Sequence, residues 1–155
     1  MKKNMETLLL NSENKEIIEC YKNRNIQYST DIGIDLYIAK DIEIEPQSKA
    51  CIDFEIKCQL NDKDGNDLAY MLVPRSSIHK SYLFLCNGFG VIDPSYRGNI
   101  CCYVFNYSSQ KVNLSKEDRI VQLVSFSGRK MTLKLDQQIT SDTDRGTCGF
   151  GSTGK

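Results

Sequence analysis

Apolar and polar side chains alternate with a period of two along most of the chain from residue 35 onward. Alternation places every second side chain on the same face, as in a β-strand with one buried face. Turn residues, such as those at 61–65, separate short and closely spaced runs, which predicts one all-β domain built as a sandwich or barrel. The predicted strands cover residues 36–39, 42–44, 51–58, 68–73, 100–105, 112–114 and 120–126.

One segment before these strands has helical periodicity instead. Ile17, Ile18 and Tyr21 share a face when the chain is wound as a helix. Ser12 is a candidate N-cap, and acidic side chains follow it in the first turn. The pattern therefore predicts a short helix near 13–21 within a β-domain that covers residues 1–144.

The charge balance and the cysteines narrow the function classes. The 155 residues include 20 basic and 20 acidic side chains, without the basic excess of a nucleic-acid-binding protein. No apolar run reaches the roughly 20 residues that cross a membrane, and the apolar patch near the N-terminus is too short for a signal peptide. Seven cysteines without a CxxC pair indicate free thiols in a reducing compartment. We expect a cytoplasmic protein, or a nuclear one in a eukaryote or virus, that binds neither nucleic acid nor membranes.

Polar residues near three predicted strands are candidates for phosphate chemistry. Asp35 lies at a strand start and is either an outer-sphere anchor for hydrated Mg²⁺ or a turn-forming residue. Arg75, Ser76 and Ser77 precede a predicted helical turn, where N–H groups cradle anions; a simple Ser N-cap is the alternative. Gln122 is an amide within an apolar run, so it contacts a ligand phosphate or a neighbouring backbone, or lies at an edge.

Residues 87–98 form the most specific internal segment. Its apolar flanks, 89–92 and 100–105, bracket Asp93-Pro-Ser-Tyr96, which predicts a β-hairpin with Asp93 at its tip. Gly90 and Gly98 stand within or beside these flanks, and strand glycines often mark a backbone that a ligand approaches closely. Asp93 can act as a general base and Tyr96 can lie flat against a sugar. An ordinary hairpin with Asp-Pro turn chemistry is the alternative.

The last residues, 145–155, place four glycines around one Phe, and two hydroxyl residues follow that Phe. Such a composition favours a flexible arm whose N–H groups and hydroxyls wrap phosphate oxygens; a polar tail is the alternative. Residues 149–155 also match the first seven positions of the P-loop pattern. A P-loop needs a helix after its Lys, and Lys155 is the last residue of the sequence, so we expect no P-loop. The single histidine, His79, argues against a Ser-His-Asp triad or a His-ligated metal and indicates a surface position.

Taken in order, five of these segments closely resemble the motifs of the trimeric deoxyuridine triphosphatase (dUTPase) family. The motifs correspond to residues 31–36, 74–77, 90–98, 118–123 and 145–154, so the resemblance covers about residues 26–154. Ser77 is a departure, since many members have Gly, but a small side chain should leave the cradle intact. The resemblance implies a jelly-roll subunit and a homotrimer with three shared sites. The first, second and fourth motifs of each site would come from one subunit, the third from another, and the arm from the last.

The resemblance also implies hydrolysis of dUTP to dUMP and pyrophosphate with Mg²⁺ on the phosphates. This activity keeps uracil out of DNA and supplies dUMP for thymidylate synthesis. Asp93 would activate the attacking water, Asp35 would hold Mg²⁺ through water, and the backbone at 90–92 and 100–101 would recognise uracil. The arm would close over the site, with Phe150 stacked on the base. The implied substrate-binding residues are Arg75, Ser76, Ser77, Asn87, Gly90, Val91, Ile92, Asp93, Tyr96, Cys101, Gln122, Arg145, Phe150, Gly151, Ser152 and Thr153.

Two other interpretations stay open at this point. A dCTP deaminase, or a bifunctional deaminase-dUTPase, shares the Arg-Ser-Ser signature of residues 75–77. Its general-base Glu stands five residues beyond the hairpin glycine, where this chain has Tyr103, which cannot act as that base. A non-catalytic nucleotide-sensing trimer is the other alternative, and the presence of Asp35, Asp93 and Arg145 argues against it.

Overall fold

The computed structural model describes residues 6–23, 30–135 and 138–140. Within these ranges the chain forms thirteen strands, one α-helix and one 3-10 turn, which confirms the predicted all-β, jelly-roll-like class. The elements, in chain order, are β1 (Glu6–Asn11), α1 (Lys15–Lys22), β2 (Ile34–Asp35), β3 (Ile42–Ile44), β4 (Lys49–Asp53), β5 (Lys57–Asn61), β6 (Asp67–Leu68), β7 (Tyr70–Pro74), the 3-10 turn (Ile78–Ser81), β8 (Leu83–Leu85), β9 (Gly90–Ile92), β10 (Cys101–Asn106), β11 (Val112–Leu114), β12 (Val121–Ser125) and β13 (Met131–Leu135).

The strands form four small sheets around one apolar core. Their orders are β13-β1-β5-β6, β4-β10-β8, β11-β3 and β2-β12-β7-β9. The alternating residues of these strands that face inward are almost completely buried, as the period of two predicts. Fully buried examples from three of the sheets are Leu8, Ile52, Val104 and Leu123.

Three strands escape the sequence pattern: β1, β8 and β13. β1 pairs in parallel with β13 and antiparallel with β5, so it joins distant parts of the chain in one sheet. Its side chains alternate between buried and half-buried, although the run from Leu8 to Leu10 is uniformly apolar. Such a run does not distinguish a strand from other apolar segments, because its partners lie far away in sequence.

Three predicted strands have the wrong extent. The run 68–73 divides into β6 and β7, which belong to different sheets. The run 51–58 divides into β4 and β5, because Glu55 adopts φ of +55° and the extended backbone ends there. Residues 36–39 are not a strand, since only Ile34–Asp35 pair with β12. Leu36 and Ile38 still belong to the core, and their N–H groups bind the carbonyls of Val121 and Asp118.

The predicted hairpin at 89–105 is also wrong. β9 pairs with β7, whereas β10 pairs with β4 and β8 in another sheet. The connection between β9 and β10 therefore crosses from one sheet to the next. Gly98 lets Tyr96 approach the backbone, since a Cβ at position 98 would lie 2.4 Å from the Tyr96 hydroxyl oxygen. Because β9 stands last in its sheet, one edge of its backbone has no strand partner among the described residues.

The predicted helix is confirmed as α1, but Ser12 is not its cap. Asn14 caps it, and its side-chain oxygen accepts hydrogen bonds from the N–H groups of Glu16 and Ile17. The Ser12 hydroxyl instead donates to the main-chain oxygen of Glu55 at 2.5 Å. Both residues are good caps, so the tertiary contact decides between them. Neither helical segment in the described ranges has the length and apolarity of a membrane-spanning helix.

Candidate active site

Two arginines hold the carboxylate of Asp35, which lies in β2 rather than in a turn. Arg75 Nε lies 3.0 Å from Asp35 Oδ1, and Arg119 Nη1 lies 3.2 Å from Oδ2. Arg75 also donates from Nη1 to the main-chain oxygen of Arg119 at 2.9 Å. The Asp35 side chain is 24% exposed, so its charge is accessible to a ligand yet already balanced within the chain.

Sheet register brings Gln122 beside this ion-pair cluster. β12 lies between β2 and β7, with Gln122 opposite Asp35 on one side and Val73 on the other. Its side chain packs against Gly33, where a Cβ would lie 1.9 Å from the Gln122 Oε1. Gln122 Nε2 lies 3.5 Å from the main-chain oxygen of Pro74, at the end of β7. The Gln122 amide therefore lies beside the peptide bond that joins Pro74 to Arg75.

The two serines of the predicted cradle follow Arg75 and precede the 3-10 turn, as the sequence indicates. Ser77 occupies the N-cap position, but its side chain makes no capping hydrogen bond. The simple-cap alternative is therefore wrong for Ser77. Ser76 is exposed, and its main-chain oxygen lies 2.9 Å from His79 Nδ1. His79 itself is exposed, which confirms its expected surface position.

Arg119 is a member of this cluster that the motif analysis does not assign. Its guanidinium carbon lies 5.8 Å from the centre of the Tyr37 ring, a cation–π arrangement. The Tyr37 ring meets the buried Tyr21 edge-on, with ring centres 5.0 Å apart. A chain of contacts thus runs from α1 through Tyr37 and Arg119 to Asp35. No local pattern shows it, because Arg119 and Asp35 are 84 positions apart.

A second cluster lies where the connection after β9 enters β10. Tyr96 donates its hydroxyl to the main-chain oxygen of Asn99 at 2.8 Å, and Asn99 donates to the Asp53 carboxylate at 3.1 Å. Burial raises the pKa of Tyr96, with smaller contributions from Cys101 and Asp53. Burial also raises the pKa of Cys101 to about 12, and Asp53 adds to that rise. Both side chains therefore stay protonated near neutral pH.

Gly90 has room around it within the chain. A Cβ there would lie 3.7 Å from Asn87 Nδ2 and 3.7 Å from Leu72 Cβ, both ordinary contacts. Packing among the described residues therefore does not require a glycine at 90. Val91 and Ile92 complete β9, and Asp93 follows them with its main-chain oxygen accepting from the Tyr96 N–H at 3.1 Å.

Two backbone segments are expected to recognise uracil, and they differ in pairing: 90–92 has a free strand edge among the described residues, whereas 100–101 is hydrogen-bonded to neighbouring strands or loops. β9 has an edge without a strand partner in the described chain. Ile100, by contrast, donates its N–H to Ile56 at 2.8 Å and accepts from the Phe54 N–H at 3.0 Å. Cys101 begins β10 opposite Asp53. The Ile100 N–H is thus already hydrogen-bonded within the chain. The unpaired edge of β9 is therefore the better candidate to present backbone N–H and C=O groups to a base.

The two clusters lie at opposite ends of β7. Ile92 stands opposite Tyr70, where β7 begins, whereas Arg75 follows the residue where β7 ends. A strand advances about 3.3 Å per residue, so Asp93 and Arg75 lie roughly 20 Å apart along the strand direction. The structure brings Asp35, Arg75 and Gln122 together, but one subunit does not bring Asp93 to them.

The remaining predicted contacts, Arg145, Phe150, Gly151, Ser152 and Thr153, lie outside the described residues, as does the expected arm at 145–155. Within the described ranges, no three His, Cys, Asp or Glu side chains are grouped to hold a metal ion. Both oxygens of Asp35 already face guanidinium groups. This donor set fits a partner for the water shell of Mg²⁺ better than a direct ligand.

Comparison with known proteins agrees with the order of the motifs. A family model described as dUTPase matches residues 21–154. The deoxyuridine 5'-triphosphate nucleotidohydrolase of Fowlpox virus (strain NVSL) is 38% identical over 130 residues, covering 83% of this chain and 86% of that protein. Its counterpart from Mus musculus is 37% identical over 123 residues, covering 79% and 72%. A mutant dUTPase of Staphylococcus bacteriophage 80alpha, solved with dUpNHpp, has a TM-score of 0.62 at 23% identity and covers 96% of this chain and 99% of its own, a likeness of fold.

Proposed function

Because this chain belongs to the dUTPase family and is a dUTP diphosphatase, we propose that it hydrolyses dUTP through Mg²⁺-assisted attack of water on the α-phosphorus. The products are dUMP and pyrophosphate. The observation that carries the proposal is the meeting of three distant segments in one polar cluster, where Asp35, Arg75 and Gln122 adjoin. Guanidinium and amide N–H donors grouped at one end of a sheet are suited to bind the oxygens of a triphosphate.

The Asp35 cluster binds the phosphates. Arg75 donates one N–H to Asp35 and one to the Arg119 carbonyl. A guanidinium has five N–H donors, and the remaining donors of Arg75 bind phosphate oxygens in this proposal. Ser76, Ser77 and Gln122 add neutral donors beside it. Mg²⁺, when bound with the substrate, neutralises charge on the phosphates, and Asp35 holds its water shell. Substrate binding therefore adds phosphate contacts to an arginine that Asp35 already positions.

The free edge of β9 recognises the uracil ring. Backbone N–H and C=O groups in a fixed strand present a set pattern of donors and acceptors, as a complementary base does. Gly90 gives the ring close access, and Asn87 stands beside it. The Cys101 backbone borders the same slot, together with Val91 and Ile92. A base with a mismatched pattern is rejected because buried polar groups would be left unpaired.

Asp93 activates the attacking water as a general base, and Tyr96 lies against the deoxyribose. Tyr96 is held in place by its hydrogen bond to Asn99 and by its contact with Gly98. A rigid ring below the sugar leaves no space for a 2′-hydroxyl. Catalysis then rests on positioning and on charge neutralisation rather than on a covalent nucleophile. The segment 145–155 contributes Arg145, Ser152 and Thr153 to the phosphates and Phe150 to the base, with Gly151 allowing close approach.

A second copy of the chain completes each site. Asp93 and Arg75 stand roughly 20 Å apart at opposite ends of β7, too far to act on one phosphate group from a single subunit. We infer a homotrimer in which one subunit supplies Asp35, Arg75 and Gln122 and a neighbour supplies Asp93 and Tyr96. The third subunit supplies residues 145–155. The assembly has no nucleic-acid or membrane partner.

An exposed aromatic face gives the surface for this assembly. It consists of the exposed Tyr82, Phe84, Tyr103 and Tyr107 and the half-buried Phe105, which lie on or directly beside strands β8 and β10. Phe84 is 47% exposed; its ring is tilted against Phe105 and stacked on Tyr107, with ring centres 5.4 Å and 6.3 Å away. Contiguous exposed aromatics mark protein contacts. The face adjoins the start of β10, so burying it against another copy places that copy beside Cys101.

The function is tested by measuring pyrophosphate and ammonia release from dUTP and dCTP. We expect pyrophosphate from dUTP and no ammonia from either nucleotide. Asp93→Asn should keep dUTP binding within about tenfold and lose turnover by about 10²–10⁴-fold, the usual loss when a general base is removed. Asp64→Asn, in an exposed turn, is the control with parent activity. Ammonia from dCTP would favour the deaminase, and one third of parent turnover in Asp93→Asn would remove Asp93 from the base role.

The shared site is tested by mixing two inactive variants. Arg75→Ala and Asp93→Asn subunits, unfolded and refolded together in equal amounts, should recover activity in about a quarter of the sites by random assortment. Each variant refolded alone stays inactive. No recovery in a mixture that sediments as trimers would place all these residues in one subunit. Phe84→Glu should shift sedimentation toward monomers, whereas Phe126→Glu, exposed outside the aromatic face, should not.

A further inference from the structure

Arg97 is a charged side chain inside the protein, only 4% exposed. Its Nη1 donates to the main-chain oxygens of Pro94 and Tyr96, at 2.6 Å and 3.0 Å. Its Nε donates to the main-chain oxygen of Thr140 at 2.8 Å, and its Nη2 pairs with Asp67 Oδ2 at 2.5 Å. One guanidinium thus joins the connection after β9, the strand β6 and the end of the described chain.

A polar network fixes this guanidinium from behind. Asp67 Oδ1 accepts from Gln59 Nε2 at 2.7 Å and from Asn61 Nδ2 at 2.8 Å. Gln59 Oε1 in turn accepts from the Thr140 N–H and hydroxyl, both at 3.3 Å. In the described part of the chain no buried side-chain nitrogen or oxygen lacks a partner. Arg97 is buried, whereas its partner Asp67 is 31% exposed. Burying a paired guanidinium contributes little net stability compared with apolar packing, which points to a further role for Arg97.

The loop that carries the proposed catalytic groups is wrapped around Arg97. Two of its carbonyls bind the same nitrogen, which curls residues 94–97 into a fixed turn directly after Asp93. The main chain of Tyr96 is held by Arg97, and its side chain is held at the other end by Asn99. Both ends of Tyr96 are therefore restrained, and Arg97 provides one of the two restraints.

We propose that Arg97 is a positioning residue for hydrolysis: by holding the Pro94 and Tyr96 carbonyls it orients Asp93 toward its water and Tyr96 toward the deoxyribose. Arg97 acts through the loop and touches no substrate. The proposal rests on the roles proposed above for Asp93 and Tyr96. It assigns to Arg97 a share in both turnover and the discrimination between deoxyribose and ribose.

The test uses Arg97→Lys in the full-length enzyme, which keeps the charge but loses the planar fork that reaches several carbonyls at once. We expect kcat for dUTP to fall about 10–100-fold, the effect of an ångström-scale misplacement. The preference for dUTP over UTP, as a ratio of kcat/KM values, should fall about tenfold or more. A merely structural role would lower the thermal midpoint without changing this ratio.

Asn106→Ala is the matched control. Asn106 is fully buried, and its Nδ2 likewise binds three main-chain oxygens, those of Ile44, Glu45 and Gln110. It should lower the thermal midpoint and leave the dUTP-over-UTP ratio unchanged. A folded Arg97→Lys enzyme with the parent kcat and ratio overturns the proposal. So does an equal fall of the ratio in Asn106→Ala.

Two further variants keep the proposal testable if Arg97→Lys does not fold. Asp67→Asn weakens the ion pair and leaves Arg97 in place, and it should lower the ratio in the same direction; an unchanged ratio overturns the proposal. Tyr96→Ala tests the underlying role of Tyr96. Loss of discrimination in Tyr96→Ala but not in the Arg97 and Asp67 variants overturns the positioning role alone. A parent enzyme that does not prefer dUTP over UTP overturns both.

Discussion

Replacing Asp35 with Asn separates the binding of Mg²⁺ from the stability of the fold. The substitution removes the charge that faces Arg75 and Arg119 and keeps the shape of the side chain. The three side chains are 24%, 29% and 39% exposed, so solvent screens both ion pairs. Partly exposed pairs contribute about 0.2–1 kcal/mol each. We therefore expect the free energy of unfolding to fall by at most about 2 kcal/mol. For a chain of this size each kcal/mol corresponds to about 2–4 °C in the thermal midpoint.

The effect on metal dependence should be much larger. Residues that hold a metal's water shell typically change its affinity about 10–100-fold when replaced. The assay is the initial rate of pyrophosphate release from dUTP over a series of Mg²⁺ concentrations. In Asp35→Asn the half-maximal Mg²⁺ concentration should rise by that factor. The control is Glu43→Gln, which removes a carboxylate 2.6 Å from Lys111 in an exposed pair elsewhere. A lower thermal midpoint with unchanged Mg²⁺ dependence would refute the metal role and leave Asp35 as a brace for two arginines.

Three further perturbations test the site and the core. Gly33→Ala should displace the Gln122 amide, 1.9 Å from the new Cβ, and raise the KM for dUTP in steady-state kinetics with little change in melting; an unchanged KM would remove Gln122 from phosphate binding. Burial raises the pKa of the Cys58 and Cys102 thiols above the usual 9.0. Above that pH the unfolded chain releases protons that the folded chain keeps, so stability falls by about 1.4 kcal/mol per pH unit for each thiol. Urea titrations at several pH values should show that the free energy of unfolding falls less steeply with pH in Cys58→Ala than in the parent; an equally steep fall would contradict this origin. Deleting residues 145–155 should preserve the trimer and its melting but reduce turnover by orders of magnitude, and full turnover would deny the segment a catalytic role.

The residues of the candidate site were accessible from sequence, but their partners were not. A motif identifies Asp35 as polar in an apolar strand, yet the register of β2, β12 and β7 decides that it meets Arg75 and Arg119. Register depends on the packing of all the strands together, which a local pattern does not contain. The same limit explains Arg97, whose burial depends on Asp67 and Thr140, 30 and 43 positions away.

The hairpin prediction failed for a related reason. Two apolar flanks around an Asp-Pro turn are the local signal of a hairpin, and β9 and β10 do lie where the flanks predict strands. Local alternation determines that a segment is extended and which face it buries, but not which strand lies beside it. Here β9 pairs with β7 at the edge of one sheet, whereas β10 lies between β4 and β8 in another sheet. The separation leaves the outer edge of β9 without a strand partner among the described residues, which suits the proposed recognition of uracil.

Because β7 pairs antiparallel with β9, no local motion within one chain can bring Asp93 to Arg75. β7 runs without a break from Tyr70 to Pro74, directly before Arg75, and its first three residues, Tyr70–Leu72, are paired on both sides, with β12 and with β9. A side-chain rotation moves a carboxylate by a few ångströms, whereas Asp93 would have to travel roughly 20 Å along that strand to reach Arg75. Such a displacement would break the sheet that holds Asp35 and Gln122 in register. The proposed action of Asp93 at phosphates bound by Arg75 therefore depends on another copy of the chain, and recovery of activity in mixed Arg75→Ala and Asp93→Asn trimers tests that proposal directly.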